Sequence, residues 1–269
     1  MILNLPVRCF HAATACAAIA LALFLPLTAV AQDPHEAYSM VGPGVRTRPA
    51  YDGSNSQRAE LVPVVRYYGH PWFARSTKGV LEGGARMELT PGLVVGAQVA
   101  YEPGRNPNES DFLKSHNVSG VNPGASVGLH FDWDQKIGPV PLNLVGRIRD
   151  RINDGRGVQG DLRLTAGIFA KGPFAAGVFA QGTWANARSN STFYGITPQQ
   201  STASGLPAFN PGSGLLFTGV GLLWSLELAR DWVAVGNLES RHLRGDAASS
   251  PLVERASNYY ATVGIAYRF

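Results

Sequence analysis

The chain has 269 residues, of which 45% are hydrophobic and 16% are charged, and its formal net charge is +4. This length fits one large domain and does not require a second. The basic residues are spread along the chain and form no tail or stripe, so the sequence argues against nucleic acid as a partner.

Residues 1–31 have the pattern of a cleavable secretory signal peptide. Arg8 precedes an apolar stretch over residues 12–27, and Ala29-Val30-Ala31 forms a small-residue cleavage site. An uncleaved membrane anchor is the alternative, but Pro26 interrupts the apolar stretch. We therefore expect residues 1–31 to be removed during export and residues 32–269 to form the mature protein.

Both cysteines of the chain, Cys9 and Cys16, lie within the predicted signal peptide. The mature protein is then expected to contain no thiol. This excludes disulfides, cysteine nucleophiles and thiolate metal sites together.

Beyond residue 31 the hydrophobic pattern is typical of β-strands. No apolar run reaches the length of about 18 residues that a membrane-spanning helix requires. Over residues 258–269 one face is apolar, with Tyr259, Ala261, Val263, Ile265, Tyr267 and Phe269, whereas the other face is mostly small and polar. The same alternation recurs in residues 93–102, 127–134, 142–151, 161–168 and 220–227. An apolar face with aromatic residues at its ends is typical of a strand that crosses lipid.

The connections between these strands alternate between short and long. The short links are Thr90-Pro91-Gly92, Gln135 to Pro139, Lys171-Gly172 and Ala229-Arg230, and the long ones are 103–120, 187–214 and 244–256. Outer-membrane barrels have this asymmetry, because their periplasmic turns are short and their outer loops are long. Residues 152–156 are a short link on the outer side and an exception to this pattern.

The number of strands follows from placing both chain ends in the periplasm. Residues 38–46 and 60–69 are predicted as the first two strands, and residues 73–89 must then supply two more, divided near Ser76-Thr77-Lys78. The sequence therefore predicts an all-β, antiparallel transmembrane barrel of twelve strands, in the outer membrane of a Gram-negative bacterium. Ten strands remain the alternative.

Several motifs resemble those of the MipA/OmpV family of outer-membrane proteins, which is named for an MltA-interacting protein. The resemblance is carried by Pro49-Ala50-Tyr51-Asp52-Gly53-Ser54, Gly104-Arg105, Phe193-Tyr194-Gly195-Ile196, Ser204-Gly205-Leu206-Pro207-Ala208-Phe209 and Tyr267-Arg268-Phe269. The most specific stretch is a loop with Gly245, Asp246, Ala247, Ala248, Ser249, Ser250, Pro251, Leu252 and Val253. Ser249 departs from the family pattern, in which Asp is expected before Ser-Pro.

This resemblance implies a non-enzymatic scaffold. The family's namesake is described as bringing a murein lytic transglycosylase together with a bifunctional penicillin-binding protein in peptidoglycan synthesis. A narrow porin-like channel and a surface adhesin are the alternatives. If the scaffold interpretation holds, the partner surface is expected on the periplasmic turns, including Gly69, His70 and Pro71 and the segment with Gln135 and Lys136. Outer-membrane lipid is a further expected partner.

The last strand is also expected to carry the signal for membrane insertion. Tyr267 and Phe269 are aromatic residues on its outward face, a feature that the barrel-assembly machinery reads in such proteins. They are predicted to be the contact with that machinery.

No catalytic, cofactor or metal site is predicted. The mature histidines, His35, His70, His116, His130 and His242, show no metal-ligand spacing. No nucleotide-binding or nucleophile-elbow motif is present, and no cofactor is expected.

One enzymatic alternative is a lipid esterase that would use Ser240 and His242. These residues are two apart on a strand, so their side chains share the outward face. Glu239 points the other way and Asp246 lies in a loop, so no acid is fixed as a third member. A polar pair at the barrel rim is the commoner case.

The inward charges allow two interpretations. In the first they line a channel, and in the second they pair with one another across a filled lumen. They are Glu82, Arg86, Glu88, Glu102, Asp132, Asp134, Arg147, Arg149, Asp161, Arg163, Glu227, Glu239 and Arg241. Their near balance favours pairing, and a twelve-stranded barrel lies between the filled and the channel-forming sizes. For the long loop 187–214, Phe193, Tyr194 and Phe209 are expected to fold over the barrel mouth, with contact to a host surface or ligand as the alternative.

Overall fold

The computed structural model describes residues 38–77, 79–152 and 156–269. The predicted signal peptide lies outside these residues, so its cleavage stays a prediction. No helix within the described residues is long and apolar enough to cross a membrane.

The described residues form a closed barrel of twelve antiparallel strands. The strands are β1 (Met40–Pro49), β2 (Gln57–Tyr68), β3 (Trp72–Thr77), β4 (Val80–Thr90), β5 (Leu93–Glu102), β6 (Gly124–Ile137), β7 (Val140–Arg151), β8 (Val158–Lys171), β9 (Phe174–Ala185), β10 (Gly214–Ala229), β11 (Trp232–Leu243) and β12 (Ser257–Arg268). Each strand pairs with its neighbours in sequence, and β1 closes the barrel against β12, with Val45 opposite Val263. Twelve strands rather than ten are confirmed, and so is the division of residues 73–89 between β3 and β4.

The strands turn an apolar face outward, as their alternation predicts. Leu129, Val220 and Leu238 are more than half exposed on this face, in the middle of their strands. Aromatic residues flank the apolar band: Tyr101, Trp184 and Tyr259 toward the long loops, and Trp72, Trp133, Trp232 and Tyr267 toward the short turns. A closed barrel satisfies the backbone hydrogen bonds internally, which hydrocarbon requires, and the two aromatic belts mark the interfaces with water.

The two ends of the barrel differ in how the chain reverses direction. At the end with short turns, Gly92, Gly138 and Gly172 have φ angles of +79°, +59° and +58°. Two-residue hairpin turns need such left-handed positions, which glycine adopts without steric cost. The structure corrects one boundary, because Gln135 and Lys136 lie within β6 and the turn itself is Gly138-Pro139.

At the other end the loops contain short helices, which the period-two pattern of the strands did not predict. They are a 3₁₀ helix (Pro107–Glu109), α1 (Asp111–Ser115), α2 (Ala187–Tyr194), α3 (Pro198–Ser204) and α4 (Gly245–Ala248). Thr197 begins α3 with a capping box, in which its side chain accepts from the Gln200 amide and Gln200 reaches back to the Thr197 amide. The long loops are therefore folded segments, and this is the outer end in an outer-membrane barrel.

Candidate functional surfaces

One half of the lumen is organised around Glu82 of β4, whose side chain is buried. Arg75 donates to Glu82 Oε1 at 2.5 Å and Arg147 at 3.3 Å. Gln98 donates to the other carboxylate oxygen at 3.0 Å. One buried carboxylate therefore joins β3, β4, β5 and β7, and its charge is compensated by two guanidinium groups.

The same network continues toward the outer end. Arg147 Nε lies 2.8 Å from Asp161 Oδ2, and Arg149 bridges Asp161 and Glu102 at 3.2 and 3.1 Å. Arg151 also pairs with Glu102, at 3.3 Å. These ion pairs connect the lumen faces of β5, β7 and β8.

A second network surrounds Glu239 of β11. Gln181 and Arg241 each donate to Glu239 Oε1 at 2.5 Å, and Arg163 Nε donates to Gln181 at 3.1 Å. The Arg241 guanidinium also lies 4.0 Å from the centre of the Tyr260 ring. Most of the predicted inward charges therefore pair with one another across the lumen, which favours the filled-lumen interpretation over a channel lining.

The outer end is covered by four loops that pack together, which we call the cap: residues 50–56, 103–123, 186–213 and 244–256. Leu113 and Leu252 are almost fully buried in it, at 0% and 1% exposure, and they cluster with Tyr51 and Ile196. A second cluster joins Tyr194 and Ala247 to the upper ends of the strands, and Phe193 packs against it. The loop aromatics thus fold over the barrel mouth, as the first of the two interpretations predicts.

The family-motif loop is the centre of this cap. Ser250 donates to the Tyr194 carbonyl at 2.6 Å and accepts from the Leu252 amide at 3.2 Å. Asp246 accepts from the Gly212 amide at 2.7 Å. The loop 244–256 is thereby fixed to the loop 186–213.

The same loop is also fixed to the first outer loop. The Tyr51 hydroxyl donates to the Leu252 carbonyl at 2.8 Å, and it lies 3.2 Å from Glu254 Oε2. Glu254 also accepts from Ser54 and from the Asn55 amide, each at 3.2 Å. The motifs that carry the family resemblance, apart from the last strand, therefore meet in one structure at the outer end.

Burial dominates the electrostatics of the cap. Desolvation and the neighbouring Glu254 carboxylate raise the pKa of Tyr51, and burial raises the pKa of Tyr194 well above its ordinary value. Burial lowers the pKa of Arg105, which donates to the carbonyls of Phe193 and Ser119. Burial thus favours the neutral form of both tyrosines.

The opposite end presents the periplasmic rim, which comprises the turns 69–71, 91–92, 138–139, 172–173 and 230–231. Its turns are tied by backbone hydrogen bonds, since the Arg86 amide donates to the Pro71 carbonyl and the Asp134 amide to the Gly92 carbonyl, each at 2.7 Å. His70 and Pro71 are exposed, and Gly69 is half-buried. Lys136 is exposed beside Gly138, whereas Gln135 is half-buried on the outward face of β6. The predicted partner residues thus lie on one connected arc.

The structure does not bring Ser240 and His242 together as the esterase alternative would require. His242 Nδ1 lies 2.8 Å from the hydroxyl of Ser257 on β12, so a different serine is its partner. Glu239 is engaged in the lumen network and Asp246 in the cap. Within the described ranges no group of three metal-ligating side chains exists.

The outward position of the last aromatic residues agrees with their predicted face. Tyr267 packs edge-on against Trp232 with ring centres 5.5 Å apart, and Phe269 is 65% exposed. Their recognition by the barrel-assembly machinery stays a prediction.

These features define the class of protein: a transmembrane β-barrel of the outer-membrane type, with a charge-paired lumen and a folded cap. The chain belongs to the MipA family, since the family model for "MltA-interacting protein MipA" matches residues 41–269.

Curated relatives carry the same name. The MltA-interacting proteins of Escherichia coli (strain K12) and Shigella flexneri are each 24% identical over 151 residues, which cover 53% of this chain and 56% of the relative. The chain thus spans about half the length of the curated relatives that it matches. Among solved structures, the COG4313 outer membrane channel from Pseudomonas putida F1 is 11% identical with a TM-score of 0.48, over 90% of this chain and 100% of that one. No functional conclusion follows from a similarity of that degree.

Proposed function

We propose that this protein is a non-enzymatic outer-membrane scaffold that binds a murein lytic transglycosylase, and with it a bifunctional penicillin-binding protein, at its periplasmic rim. The observation that carries the proposal is the contrast between a closed outer end and an accessible rim. The name of the curated relatives supports an MltA-type transglycosylase as the partner class.

The size of the available surface bears on this proposal. Short turns offer little surface one at a time, and a standard interface involves about 20 to 30 residues on each side. Because backbone hydrogen bonds connect the turns 69–71, 91–92 and 138–139 through their neighbouring strands, these turns present one continuous surface. A rigid arc of this kind loses little conformational entropy on binding.

The test is photocrosslinking in intact envelopes. A photoreactive amino acid is placed at His70 or Lys136, and at Gln200 in α3 of the cap as the control. We expect adducts with a lytic transglycosylase from the two rim positions and none from position 200. Adducts from the cap position alone, or from neither rim position, would contradict the proposal.

A second experiment measures binding by co-purification of the transglycosylase with the full chain. The double variant His70→Ala/Lys136→Glu is compared with Lys114→Glu, which changes an exposed charge of the cap. We expect the rim variant to lose at least about tenfold in recovered enzyme, the effect of removing a single interface anchor. Equal recovery with both variants would show that the rim is not the binding surface.

The narrow-channel alternative predicts conductance of the purified barrel in planar bilayers. The paired lumen charges and the cap lead us to expect no steady conductance. A steady current through the unmodified protein would favour the channel over the scaffold.

A further inference from the structure

The barrel wall has a notch at the outer end between β2 and β3. Among the described residues, β3 pairs with β2 only at Arg66–Arg75, Tyr67–Ala74 and Tyr68–Phe73. Extending that register places Thr77, the last residue of β3, level with Val64. Residues 57–63 of β2 therefore continue beyond the end of β3, and a strand of this length has a free edge of about 20 Å.

Along the notch, backbone N–H and C=O groups of β2 point in the plane of the sheet toward the side on which β3 lies. The Val65 amide points toward β3, because it donates to the Ser76 hydroxyl at 3.0 Å. Backbone groups alternate along a strand, so the amides of Gln57, Ala59 and Leu61 point the same way. Pro63 lacks a backbone N–H group, so it leaves no donor unpaired at an edge position. The edge thus offers hydrogen-bonding groups that β3 does not use.

The outer lip of the notch is apolar and exposed to the lipid side. Leu61 is 83% exposed, and Ala59 and Pro63 are also exposed. Tyr259 on β12 and Tyr101 on β5 lie on either side, at 60% and 63% exposure. Since these aromatics belong to the outer belt, the notch lies at the boundary between acyl chains and headgroups.

The back wall of the notch is charged. Glu109, in the 3₁₀ helix of the cap, forms ion pairs with Arg58 and, at 3.5 Å, with Arg48. Glu60 accepts from Arg48 at 3.0 Å and lies 3.6 Å from Arg46. Three guanidinium groups thus face two carboxylates, and Arg58 Nε is enclosed without a hydrogen-bond partner among the described residues. Among these five groups the positive charges therefore exceed the negative charges by one.

A second copy of the chain does not fit this edge. Two barrels in one membrane share the same orientation, so their β2 strands run in the same direction and their tilts cross rather than align. A periplasmic protein cannot reach the outer end of the wall. The occupant that the position allows is a lipid of the outer leaflet.

We propose that the notch is a lateral binding site for the phosphorylated, amide-containing glycolipid of the outer leaflet, lipopolysaccharide. The phosphate pairs with Arg58, the amide and hydroxyl groups at the roots of the acyl chains bond to the free edge of β2, and the chains lie along Leu61 and Pro63. Charge-assisted hydrogen bonds to phosphate and the satisfaction of an edge in a low-dielectric boundary both favour this arrangement.

The test uses photocrosslinking of the full chain in outer membranes. The probe is placed at Leu61 and, as the matched control, at Trp184, which is 50% exposed in the outer aromatic belt on a complete part of the wall between β8 and β10. We expect about tenfold more lipopolysaccharide adduct at Leu61, the factor for one charge-assisted hydrogen bond. Equal adducts at both positions would show ordinary lipid contact and overturn the proposal, as would a protein adduct at Leu61.

Two variants separate binding from structure. Arg58→Gln removes the guanidinium group. Glu109→Gln breaks the same ion pair but leaves the Arg58 guanidinium group in place. We expect the Leu61 adduct to fall to the Trp184 level in Arg58→Gln and to persist in Glu109→Gln. If the Leu61 adduct is lost in both variants, the effect is due to the position of the 3₁₀ helix, and the proposed contact between Arg58 and the lipid is wrong. In proteoliposomes, adduct formation with lipopolysaccharide but not with phosphatidylglycerol supports the proposed lipid, and the reverse contradicts it.

Discussion

The outer end of the barrel is held largely by side chains that meet from loops far apart in the sequence, with added backbone bonds such as those from the Glu254 and Arg255 amides to the Gly53 carbonyl. The periplasmic end is held mainly by backbone hydrogen bonds between neighbouring turns. Tyr51 binds Leu252, 201 positions away in the sequence, and Ser250 binds Tyr194. At the rim, Arg86 and Asp134 donate to turns adjacent to their own strands.

The two kinds of bonding have different consequences for function. A cap built from side chains depends on the identity of each residue, so the family motifs concentrate there. A rim held mainly by backbone bonds keeps its shape with many sequences, so its side chains can vary without loss of the fold. The specific residues of the cap are therefore explained by structure, whereas a role for the rim residues rests on the proposed function.

The largest effect is expected for Leu252→Ala. Leu252 is 1% exposed among Tyr51, Leu113 and Ile196, and a buried leucine replaced by alanine costs about 3 kcal/mol. If cleavage follows the population of the open cap, trypsin digestion after Arg188 and Arg244 should accelerate roughly hundredfold. Leu228→Ala, at a lipid-facing position near the rim, is the control and should leave the rate unchanged. An unchanged rate in Leu252→Ala would mean that the cap is not a cooperative unit.

A smaller effect is expected for Ser250→Ala. The change leaves the Tyr194 carbonyl and the Leu252 amide without their partner, which costs about 2 kcal/mol in a buried site. Proteolysis of the cap should then accelerate by roughly thirtyfold. Ser249→Ala is the matched control, because Ser249 is exposed. If both variants behave alike, the motif serine has no structural role and a binding role for the loop regains support.

The sequence predicts the barrel well because the period of two is local information. The alternation in residues 258–269 and the short turns were recoverable from neighbouring residues, whereas the division near Ser76-Thr77-Lys78 followed from the strand count with both chain ends in the periplasm. The boundary at Gln135 and Lys136 was misjudged because two polar residues in a strand end look like a turn.

The contacts of the cap and the notch could not be predicted in this way. The contact of Tyr51 with Leu252 depends on the closed barrel, which brings the first and last outer loops together. The short β3 depends on the register with β2, and His242 meets Ser257 only through the pairing of β11 with β12. The Gly245 to Val253 motif gave the one available signal, but it did not show what the loop contacts.

A pH dependence of the cap follows from its tyrosines. The Tyr51 pKa is raised in the closed cap, whereas in the open cap it returns to about 10. As the pH rises above about 10, the open form loses the proton first, so the cap is stable below this pH and weakens above it. Tyr51→Phe should cost about 1.5 kcal/mol at neutral pH, through the bonds to Leu252 and Glu254. It should also flatten the alkaline acceleration of proteolysis, and an unchanged alkaline profile would assign that dependence to Tyr194.

The smallest effect on the cap is expected from a substitution in the rim, Gly138→Ala. Gly138 has φ +59° with no atom within 4 Å of an added Cβ, so Gly138→Ala meets only the left-handed strain of about 1 kcal/mol. Backbone bonding confines that strain to the turn, so the temperature of heat denaturation should fall slightly while proteolysis of the cap stays at the wild-type rate. Transglycosylase recovery should also be retained, because the neighbouring side chains keep their places. A faster digestion of the cap in this variant would show that the two ends are mechanically coupled through the lumen networks, and the division between them would then have to be abandoned.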